Sequence, residues 1–394
     1  MHIDRKQAPM RMFIGAFCYG VLELAGSGSL QSDEDFMRQA LALARNATGR
    51  TSPNPLVGAV IVRDGHVIAA GWHREAGTPH AEIHALRMAG ELAEGATLYV
   101  TLEPCAHYGR TGPCAKAVAE AGIRRVVIGM GDPNPLVAGK GIKILQDAGI
   151  EVKCGVLEDE CRRLNEVFLH WITQKRPFVI LKTAMTLDGK IATAAGESQW
   201  ITSPEAREYT HELRDSCDGI LVGIGTVLHD DPSLTTRLPD RAGKNPVRIV
   251  LDSQARTPLD AKLVTDEQAE TIIAVTAQAP KERVQALVEQ GATVITAGEG
   301  PHVDLPQLLQ KLGELEICSL LVEGGGCVNF SLLQAGLVDK VLAFVAPKIV
   351  GGRDAITPVE GEGIAKLAEA VQLRDLQAQT IGPDVLLSGY VRKK

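Results

Sequence analysis

The sequence predicts an α/β protein made of two domains in tandem. Its 394 residues exceed what one ordinary hydrophobic core organises, so two domains are the default expectation. Apolar strand patterns alternate with helical patterns along most of the chain, which is typical of layered α/β domains. This alternation restarts after Arg176-Pro177, where we place the start of the second domain.

The first domain is expected to span residues 33–157. A helical pattern over Phe36–Ala47, with Asp33 or Ser32 as its N-cap, precedes a hairpin whose turn is Asp64-Gly65. The hairpin strands are predicted at Val57–Val62 and Val67–Ala70; later helices at Ala81–Ala89, Cys114–Ala121 and Ile142–Ala148; and later strands at Thr97–Thr101, Val126–Ile128 and Glu151–Cys154. This order predicts a layered α/β sandwich.

The second domain is expected to span residues 177–394, after a connecting segment, 158–176, that contains a single helix over Asp159–Trp171. Its buried strands are predicted at Phe178–Lys182, Gly219–Val222, Val247–Asp252, Thr271–Val275, Ser319–Glu323 and Lys340–Ala346, and its helices at Pro204–Leu213, Glu282–Glu289 and Val328–Gln334. Glycine-rich turns at 223–226 and 324–326 follow two of the strands. They either expose backbone amides to a phosphate or are ordinary tight turns.

Composition excludes several classes of protein. A hydrophobic content of 45% with 23% charged residues describes a globular chain, not a disordered one. The net charge of −7 argues against a general nucleic-acid-binding surface. Eight cysteines in a chain of this length do not form a disulfide scaffold. Six of them lie apart from any motif and fit reduced thiols of the core: Cys18, Cys154, Cys161, Cys217, Cys318 and Cys327.

The N-terminal 32 residues are expected to be an extension outside both domains. The apolar stretch Phe13–Leu24 follows basic residues and so imitates a secretory signal. It is too short to span a bilayer and contains Glu23. We therefore favour an extension or an alternative start over a signal peptide.

The residues that indicate chemistry are His80-Ala81-Glu82, followed by Cys105 and Cys114. They supply one imidazole, two thiols and a carboxylate that is not a metal ligand, the set typical of hydrolytic zinc deaminases. Such a site holds zinc with three protein ligands and lowers the pKa of a bound water toward about 7. Glu82 would move protons between this water and the departing amine. The alternative is a closed structural zinc site with a fourth ligand, His84 or His107.

The segment between the two cysteines is longer and richer in glycine than the usual Cys-x-x-Cys. With Asn54-Pro55-Leu56-Val57-Gly58 and Asp132-Pro133-Asn134-Pro135, it resembles the deaminase half of the bifunctional deaminase/reductase family of riboflavin biosynthesis. The second half is similar to the same family's reductase at Leu187-Asp188-Gly189-Lys190, at 196–203, at 230–235 and at 322–325. The resemblance covers nearly everything from Asp33 to Tyr390.

The resemblance implies a fold, two cofactors and a reaction sequence. The first domain would be a cytidine-deaminase-like α/β/α sandwich that binds one Zn²⁺ per chain, and the second a dihydrofolate-reductase-like α/β domain that uses NADPH. The substrate would be a small phosphoribosylaminopyrimidine. Zinc-dependent hydrolytic deamination of its ring would come first, and NADPH-dependent reduction of the ribosyl group to ribityl would follow.

The resemblance also implies site residues. His80, Cys105 and Cys114 would bind zinc, and Glu82 would be catalytic. The residues expected to line the NADPH site are Ala184, Trp200, Thr226, Asp230, Ser253, Gly325, Gly326, Cys327, Val328, Asn329, Phe330 and Ser331. The residues expected to contact substrate in the second domain are Ser198, Arg214, Leu234, Arg237 and Glu323. In the first domain, side-chain chemistry makes Asn54, His73, His107 and Arg110 candidates for substrate contacts, with a structurally hydrogen-bonded loop as the alternative. By chemistry alone, Lys182 and Asp188 are candidates for the proton donor of the reduction.

Two other functions stay open at this stage. One is a zinc deaminase that acts on cytidine, deoxycytidylate or tRNA adenosine, against which the long cysteine segment and the second domain both argue. The other is a fusion in which one half has become a non-catalytic binding module. We expect a cytoplasmic protein, because zinc thiolates and a nicotinamide cofactor suit a reducing compartment. We also expect a homo-oligomer with no nucleic-acid or membrane partner.

Overall fold

The chain forms two compact units in a computed structural model that describes residues 31–106, 112–134 and 138–393. The first unit ends at Leu169 and the second begins at His170. Each has hydrophobic clusters of its own, made of residues from its own sheet and helices. The predicted N-terminal extension falls almost wholly outside the described residues. In the described part of the chain, no helix has both the length and the apolar character needed to cross a bilayer.

The first unit is built on a five-stranded sheet in the order β2-β1-β3-β4-β5. Its strands are β1 (Gly58–Arg63), β2 (His66–Trp72), β3 (Thr97–Leu102), β4 (Arg125–Met130) and β5 (Glu151–Cys154), and its first helices are α1 (Asp33–Arg45), α2 (Ala81–Ala89), α3 (Cys114–Glu120) and α4 (Lys140–Asp147). Strand β1 pairs antiparallel with β2 and β3, whereas β3, β4 and β5 run parallel. The predicted elements agree with this order.

Local sequence explains the first elements. Ser32 caps α1 through a capping box with Asp35, in which each side chain bonds the other residue's backbone N–H. Asp64 and Gly65 both have positive φ, at 51° and 76°, as the tight turn between β1 and β2 requires. The hairpin predicted from Asp-Gly is therefore confirmed.

The connecting segment differs from the prediction of one helix. Two helices, α5 (Glu158–Leu164) and α6 (Glu166–Gln174), meet at Asn165. The buried Asn165 amide accepts a hydrogen bond from the Leu56 backbone N–H at 2.8 Å and donates one to the Leu56 carbonyl at 3.0 Å. These bonds fix the segment before β1 with a side chain 109 residues away, which no local pattern reveals.

The second unit is built on a nine-stranded sheet in the order β10-β9-β8-β7-β11-β6-β12-β14-β13. Its strands are β6 (Phe178–Thr186), β7 (Gly219–Gly223), β8 (Val247–Leu251), β9 (Thr271–Val275), β10 (Thr293–Thr296), β11 (Ser319–Val322), β12 (Lys340–Ala346), β13 (Leu373–Ile381) and β14 (Asp384–Val391). Its helices after α6 are α7 (Pro204–Ser216), α8 (Ile224–Asp230), α9 (Lys262–Thr265), α10 (Lys281–Glu289), α11 (Leu305–Glu314) and α12 (Gly326–Gln334).

The sheet of the second unit places the carboxyl ends of seven neighbouring strands at one edge. Strands β10 through β12 in that order all run in the same direction, and β14 pairs antiparallel with both β12 and β13. The carboxyl ends of β6, β7 and β11 are therefore neighbours. In open α/β sheets, ligands bind at this edge, where the chain leaves neighbouring strands in different directions.

Candidate active sites

The first site lies at the starts of two helices in the first unit. His80 is the N-cap residue of α2, Glu82 is in its first turn, and Cys114 is the first residue of α3. Cys105 follows β3, and its Sγ accepts a hydrogen bond from the Cys114 backbone N–H at 3.3 Å. Separate loops therefore bring one nitrogen and two sulfur atoms together.

The geometry of these three side chains suits zinc. The His80 Nδ1 lies 3.2 Å from the Cys114 Sγ and 3.6 Å from the Cys105 Sγ. In a tetrahedral zinc site, the usual bond lengths place such ligand atoms about 3.5 Å apart. Among the described residues, this cluster contains no fourth His, Cys, Asp or Glu ligand. His84 does not join it, and His107 lies outside the described residues, so the closed structural site gains no support.

Electrostatics at this site favour a thiolate at Cys105 and raise the pKa of Glu82. Hydrogen bonds from the Cys114 thiol and from His80 lower the pKa of Cys105 to about 4. Burial raises the pKa of Glu82, whose side chain is 3% exposed. A raised pKa makes the Glu82 carboxylate a better acceptor for a proton, as acid–base chemistry at an amine needs.

Asn54 and His73 form a hydrogen-bonded pair in the same unit. The His73 Nδ1 lies 3.2 Å from the Pro79 carbonyl oxygen, which only accepts, so this nitrogen donates. Burial lowers the pKa of His73 and keeps the ring neutral, so Nε2 accepts from the Asn54 amide nitrogen at 3.1 Å. The Asn54 amide therefore has a fixed orientation, as a residue that recognises a pyrimidine edge requires. Arg110, like His107, lies outside the described residues.

Glu103 is a residue that sequence reasoning missed. It is buried at the end of β3, and its carboxylate accepts hydrogen bonds from the backbone N–H groups of Asp132, Gly139, Gly141 and Ile142 at 3.0–3.3 Å. These bonds hold the chain after β4 beside the Pro104-Cys105 segment. Its position just before that segment is the only signal in the sequence.

The second site is a cavity of about 690 Å³ in the second unit, at the carboxyl ends of β6, β7 and β11. The predicted residues that line it are Ala184, Ser198, Trp200, Arg214, Thr226, Asp230, Arg237, Glu323, Gly325 and Asn329. Phosphate could approach Gly325, the N-cap of α12, because the space beyond its Cα is open. The buried Asn329 Oδ1 has no hydrogen-bond partner among the described residues. Both observations fit a nucleotide cofactor.

Seven residues predicted for this site do not line the cavity. They are Leu234, Ser253, Gly326, Cys327, Val328, Phe330 and Ser331. Leu234 belongs to a hydrophobic cluster, and the Ser253 hydroxyl accepts a hydrogen bond from the Val303 backbone N–H at 3.3 Å. The other five are on α12, where only one face of the helix meets the cavity.

The most buried charges of the cavity belong to a cluster of three. The Arg214 guanidinium donates two hydrogen bonds to Glu323, at 2.8 and 3.1 Å, and the Lys182 Nζ lies 3.6 Å from the same carboxylate. Burial alone would raise the pKa of Glu323, but the charges of Arg214 and Lys182 outweigh it and lower the pKa to about 2. Arg214, which was expected to contact substrate, thus holds an ionised Glu323 in place.

Lys182 and Asp188, the two candidate proton donors, lie in different surroundings. Lys182 lines the cavity. The Asp188 carboxylate accepts hydrogen bonds from the Thr186 hydroxyl and from the backbone N–H groups of Val350 and Gly351. These bonds lower the pKa of Asp188 to about 2, with the Thr186 hydroxyl as the largest cause. Asp188 therefore stabilises a turn, and only Lys182 is placed to act in the cavity.

Other residues of the cavity were not predicted. Arg207 and His211 line it together with Arg214, and all three are on one face of α7, four and three positions apart. The Arg207 guanidinium stacks over the Trp200 ring, with its Cζ 4.6 Å from the ring centroid. The helical spacing of these basic residues was a signal that the sequence did contain.

Comparisons with known proteins identify the family. A family model described as the RibD C-terminal domain matches residues 177–387, more than half of the chain, and one described as the cytidine and deoxycytidylate deaminase zinc-binding region matches residues 30–130. The chain belongs to the RibD family. The riboflavin biosynthesis protein RibD of Actinobacillus pleuropneumoniae is 48% identical over 93% of this chain and 97% of its own length. The RibD of Escherichia coli is 44% identical over 90% of this chain and 98% of its own length.

Solved RibD structures agree with the fold. One form of Acinetobacter baumannii RibD has a TM-score of 0.83 at 38% identity and covers 93% of this chain and 100% of its own. A Thermotoga maritima protein named diaminohydroxyphosphoribosylaminopyrimidine deaminase/5-amino-6-(5-phosphoribosylamino)uracil reductase has a TM-score of 0.80 at 38% identity and covers 91% and 99%. The expected deaminase and reductase folds are confirmed. The chain is a bifunctional deaminase and reductase of riboflavin biosynthesis, with zinc and NADPH as cofactors.

Proposed function

We propose that the chain deaminates 2,5-diamino-6-(5-phosphoribosylamino)pyrimidin-4-one and then reduces the ribosyl group of the product to ribityl with NADPH. The observation that carries this proposal is the presence of two complete sites, the His80, Cys105 and Cys114 cluster beside Glu82 and the cavity of the second unit. The name of the Thermotoga maritima relative supports the substrate.

In the deaminase unit, we assign zinc to His80, Cys105 and Cys114. When bound, the ion supplies a water that is ready to attack the ring carbon. Glu82, buried next to the ligands, takes the proton of this water and returns it to the departing amine, which leaves as ammonia. The Asn54 amide, oriented by His73, hydrogen-bonds the pyrimidine edge.

In the reductase unit, the residues of the cavity divide the work of binding and proton transfer. NADPH, when bound, supplies the hydride that reaches the ribosyl C1′. The bond from C1′ to the ring oxygen breaks, and Lys182 provides the proton that this oxygen takes up. The Lys182 Nζ lies 3.6 Å from the Glu323 carboxylate, which forms an ion pair with it. Arg237, which has no carboxylate partner among the described residues, binds the phosphate.

The remaining parts of the proposal concern the cell. We place the enzyme in the cytoplasm as a homo-oligomer with no nucleic-acid or membrane partner. The support is chemical, because a thiolate such as Cys105 stays reduced in that compartment.

A coupled assay tests the function. Purified, zinc-loaded protein is mixed with the diaminopyrimidine ribosyl phosphate, and ammonia release and NADPH absorbance are followed together. Ammonia should appear first, and NADPH consumption should depend on it. Glu82→Gln should keep zinc bound and lower the deamination rate by at least about 100-fold. It should still reduce the deaminated intermediate when that is supplied directly.

Two results would contradict the proposal. If neither ammonia nor NADPH loss appeared with zinc bound, the substrate would be wrong. If Glu82→Gln kept the full deamination rate, Glu82 would not be the acid–base group. The matched control is Glu91→Gln in the same unit, which changes an exposed carboxylate and should leave both rates unchanged.

A further inference from the structure

His211 is a partly buried histidine of α7 that lines the reductase cavity. Its ring takes part in one hydrogen bond. Its Nδ1 lies 3.3 Å from the backbone nitrogen of Arg237. A backbone N–H only donates, so this ring nitrogen must accept and carries no proton. A neutral imidazole with an unprotonated Nδ1 carries its proton on Nε2. The fold thus selects one tautomer.

The surroundings also keep the ring neutral. A charged imidazolium would turn a second N–H toward the Arg237 amide, where two donors would face each other. Burial is the largest cause that lowers the pKa of His211 to about 4, and the nearby charges of Arg214 and Arg237 act in the same direction. Within the described residues, the hydrogen bond at Nδ1 is the only one that the His211 ring makes. Among the described residues, the Nε2–H is therefore a hydrogen-bond donor without a partner at the wall of the cavity.

The neighbours of His211 indicate what this donor meets. The Arg214 guanidinium is committed to Glu323 and to the Thr235 carbonyl, at 3.1 Å. The Arg237 guanidinium donates to the Thr235 hydroxyl at 3.1 Å and has no carboxylate partner among the described residues. The His211 ring is hydrogen-bonded to the Arg237 backbone, and both residues line the cavity, so a negative group that pairs with Arg237 would lie near this ring.

We infer that His211 is a further substrate-binding residue of the reductase, whose neutral Nε2–H donates to the substrate phosphate beside Arg237. This rests on the proposed function. A neutral donor adds a hydrogen bond to the phosphate without placing another positive charge next to two arginines. It distinguishes the phosphorylated intermediate from its dephosphorylated form.

Two substitutions separate this role from a merely structural one. The carbonyl oxygen of an asparagine at this position replaces Nδ1, so His211→Asn keeps the acceptor for the Arg237 amide and loses the donor. The amide nitrogen of a glutamine reaches the place of Nε2, so His211→Gln keeps the donor and loses the acceptor. A residue that only positions the Arg237 backbone would tolerate asparagine better than glutamine.

The experiment measures reductase KM and kcat with the deaminated intermediate, with and without its phosphate. His211→Asn should raise KM for the phosphorylated compound about tenfold, the size of one hydrogen bond to a charged group. It should leave KM for the dephosphorylated compound within about twofold. His211→Gln should stay within about threefold of wild type on both. His302→Asn, at an exposed histidine of the same unit, is the matched control.

The inference is overturned if His211→Asn behaves as wild type, or if it raises KM equally for both compounds. It is also overturned if His211→Gln is the more damaged variant. Failure of the proposed function looks different, because wild-type protein would then not reduce the intermediate at all. Ammonia release by the deaminase unit, measured on each variant, shows that the protein is folded and zinc-loaded.

Discussion

Glu323 is the residue on which the electrostatics of the reductase cavity depend. Its buried carboxylate neutralises Arg214 and Lys182, and their charges hold its pKa near 2. The ionised carboxylate therefore contributes stability that is present above its ordinary pKa of 4.5 and is lost as the pH falls toward 2. Glutamine at this position keeps the shape and removes the charge.

Glu323→Gln should lose reductase activity and stability while deamination continues. Removing one partner of a buried ion pair leaves uncompensated charge and costs about 3 kcal/mol of unfolding free energy. Urea unfolding at pH 7 and pH 3 would measure this cost. The free energy of unfolding should differ less between the two pH values in the variant than in the wild type. Glu314→Gln, at an exposed residue of α11, is the control. An unchanged free energy at pH 7 would show that the cluster does not stabilise the fold.

The sequence revealed the deaminase site better than the reductase site for a physical reason. A zinc site needs few residue types at short spacings, so His80, Glu82 and Cys105 could be recognised without any fold. The reductase cavity is assembled from the ends of three strands and one face of α7, and its members are ordinary residue types. His211 acquires a meaning only when the segment that contains Arg237 lies beside it.

At the scale of elements, most buried strands were predictable, and the most exposed strand was not. Strands β9 and β12 have the predicted bounds because continuous apolar residues mark them. The first eight residues of β13 are all exposed, so the strand shows no apolar alternation and was missed, as was its partner β14. The break at Asn165 depends on a contact with Leu56 that a local pattern cannot contain.

Asp33, at the start of α1, joins this helix to three strands of the first sheet. Its carboxylate accepts hydrogen bonds from Tyr99 on β3, from Arg125 on β4 and from Lys153 on β5, at 2.7–3.0 Å. These partners, with Arg125 the largest cause, lower the pKa of Asp33. The ionised form therefore stabilises the fold above the ordinary pKa of 3.8, and this contribution is lost as the pH falls.

Asp33→Asn should destabilise the deaminase unit by about 2 kcal/mol, because it weakens charge-assisted hydrogen bonds to three strands at once. The change would be measured by thermal unfolding at pH 7, with the release of bound zinc as the signal. Asp147→Asn removes an exposed carboxylate paired with Lys143 on α4 and should have little effect. Equal melting temperatures for the two variants would show that the Asp33 cluster contributes no more than a surface ion pair.

At the scale of the whole molecule, exposed apolar side chains are concentrated in the C-terminal part of the reductase unit. Between β12 and the middle of β13, large apolar residues are exposed at Ile349, Val350, Ile356, Val359, Ile364, Leu367, Leu373 and Leu376. Leu367 is 92% exposed and Leu376 is 62% exposed. Strand β13 is also an edge of the sheet, with free backbone groups on its outer side. A monomer in water would leave this apolar surface uncovered.

We therefore expect a second copy of the chain to cover this surface, in keeping with the proposed homo-oligomer. Light scattering on the eluted protein should give at least twice the mass of 42.0 kDa. Leu367→Asp and Leu376→Asp together should shift the protein toward the monomer, since burying two carboxylates in an apolar interface is costly. Leu315→Asp, at a leucine that is 54% exposed after α11, should leave the mass unchanged. A monomeric wild type, or an oligomer that both Leu367→Asp and Leu376→Asp leave intact, would show that this surface is not where copies meet.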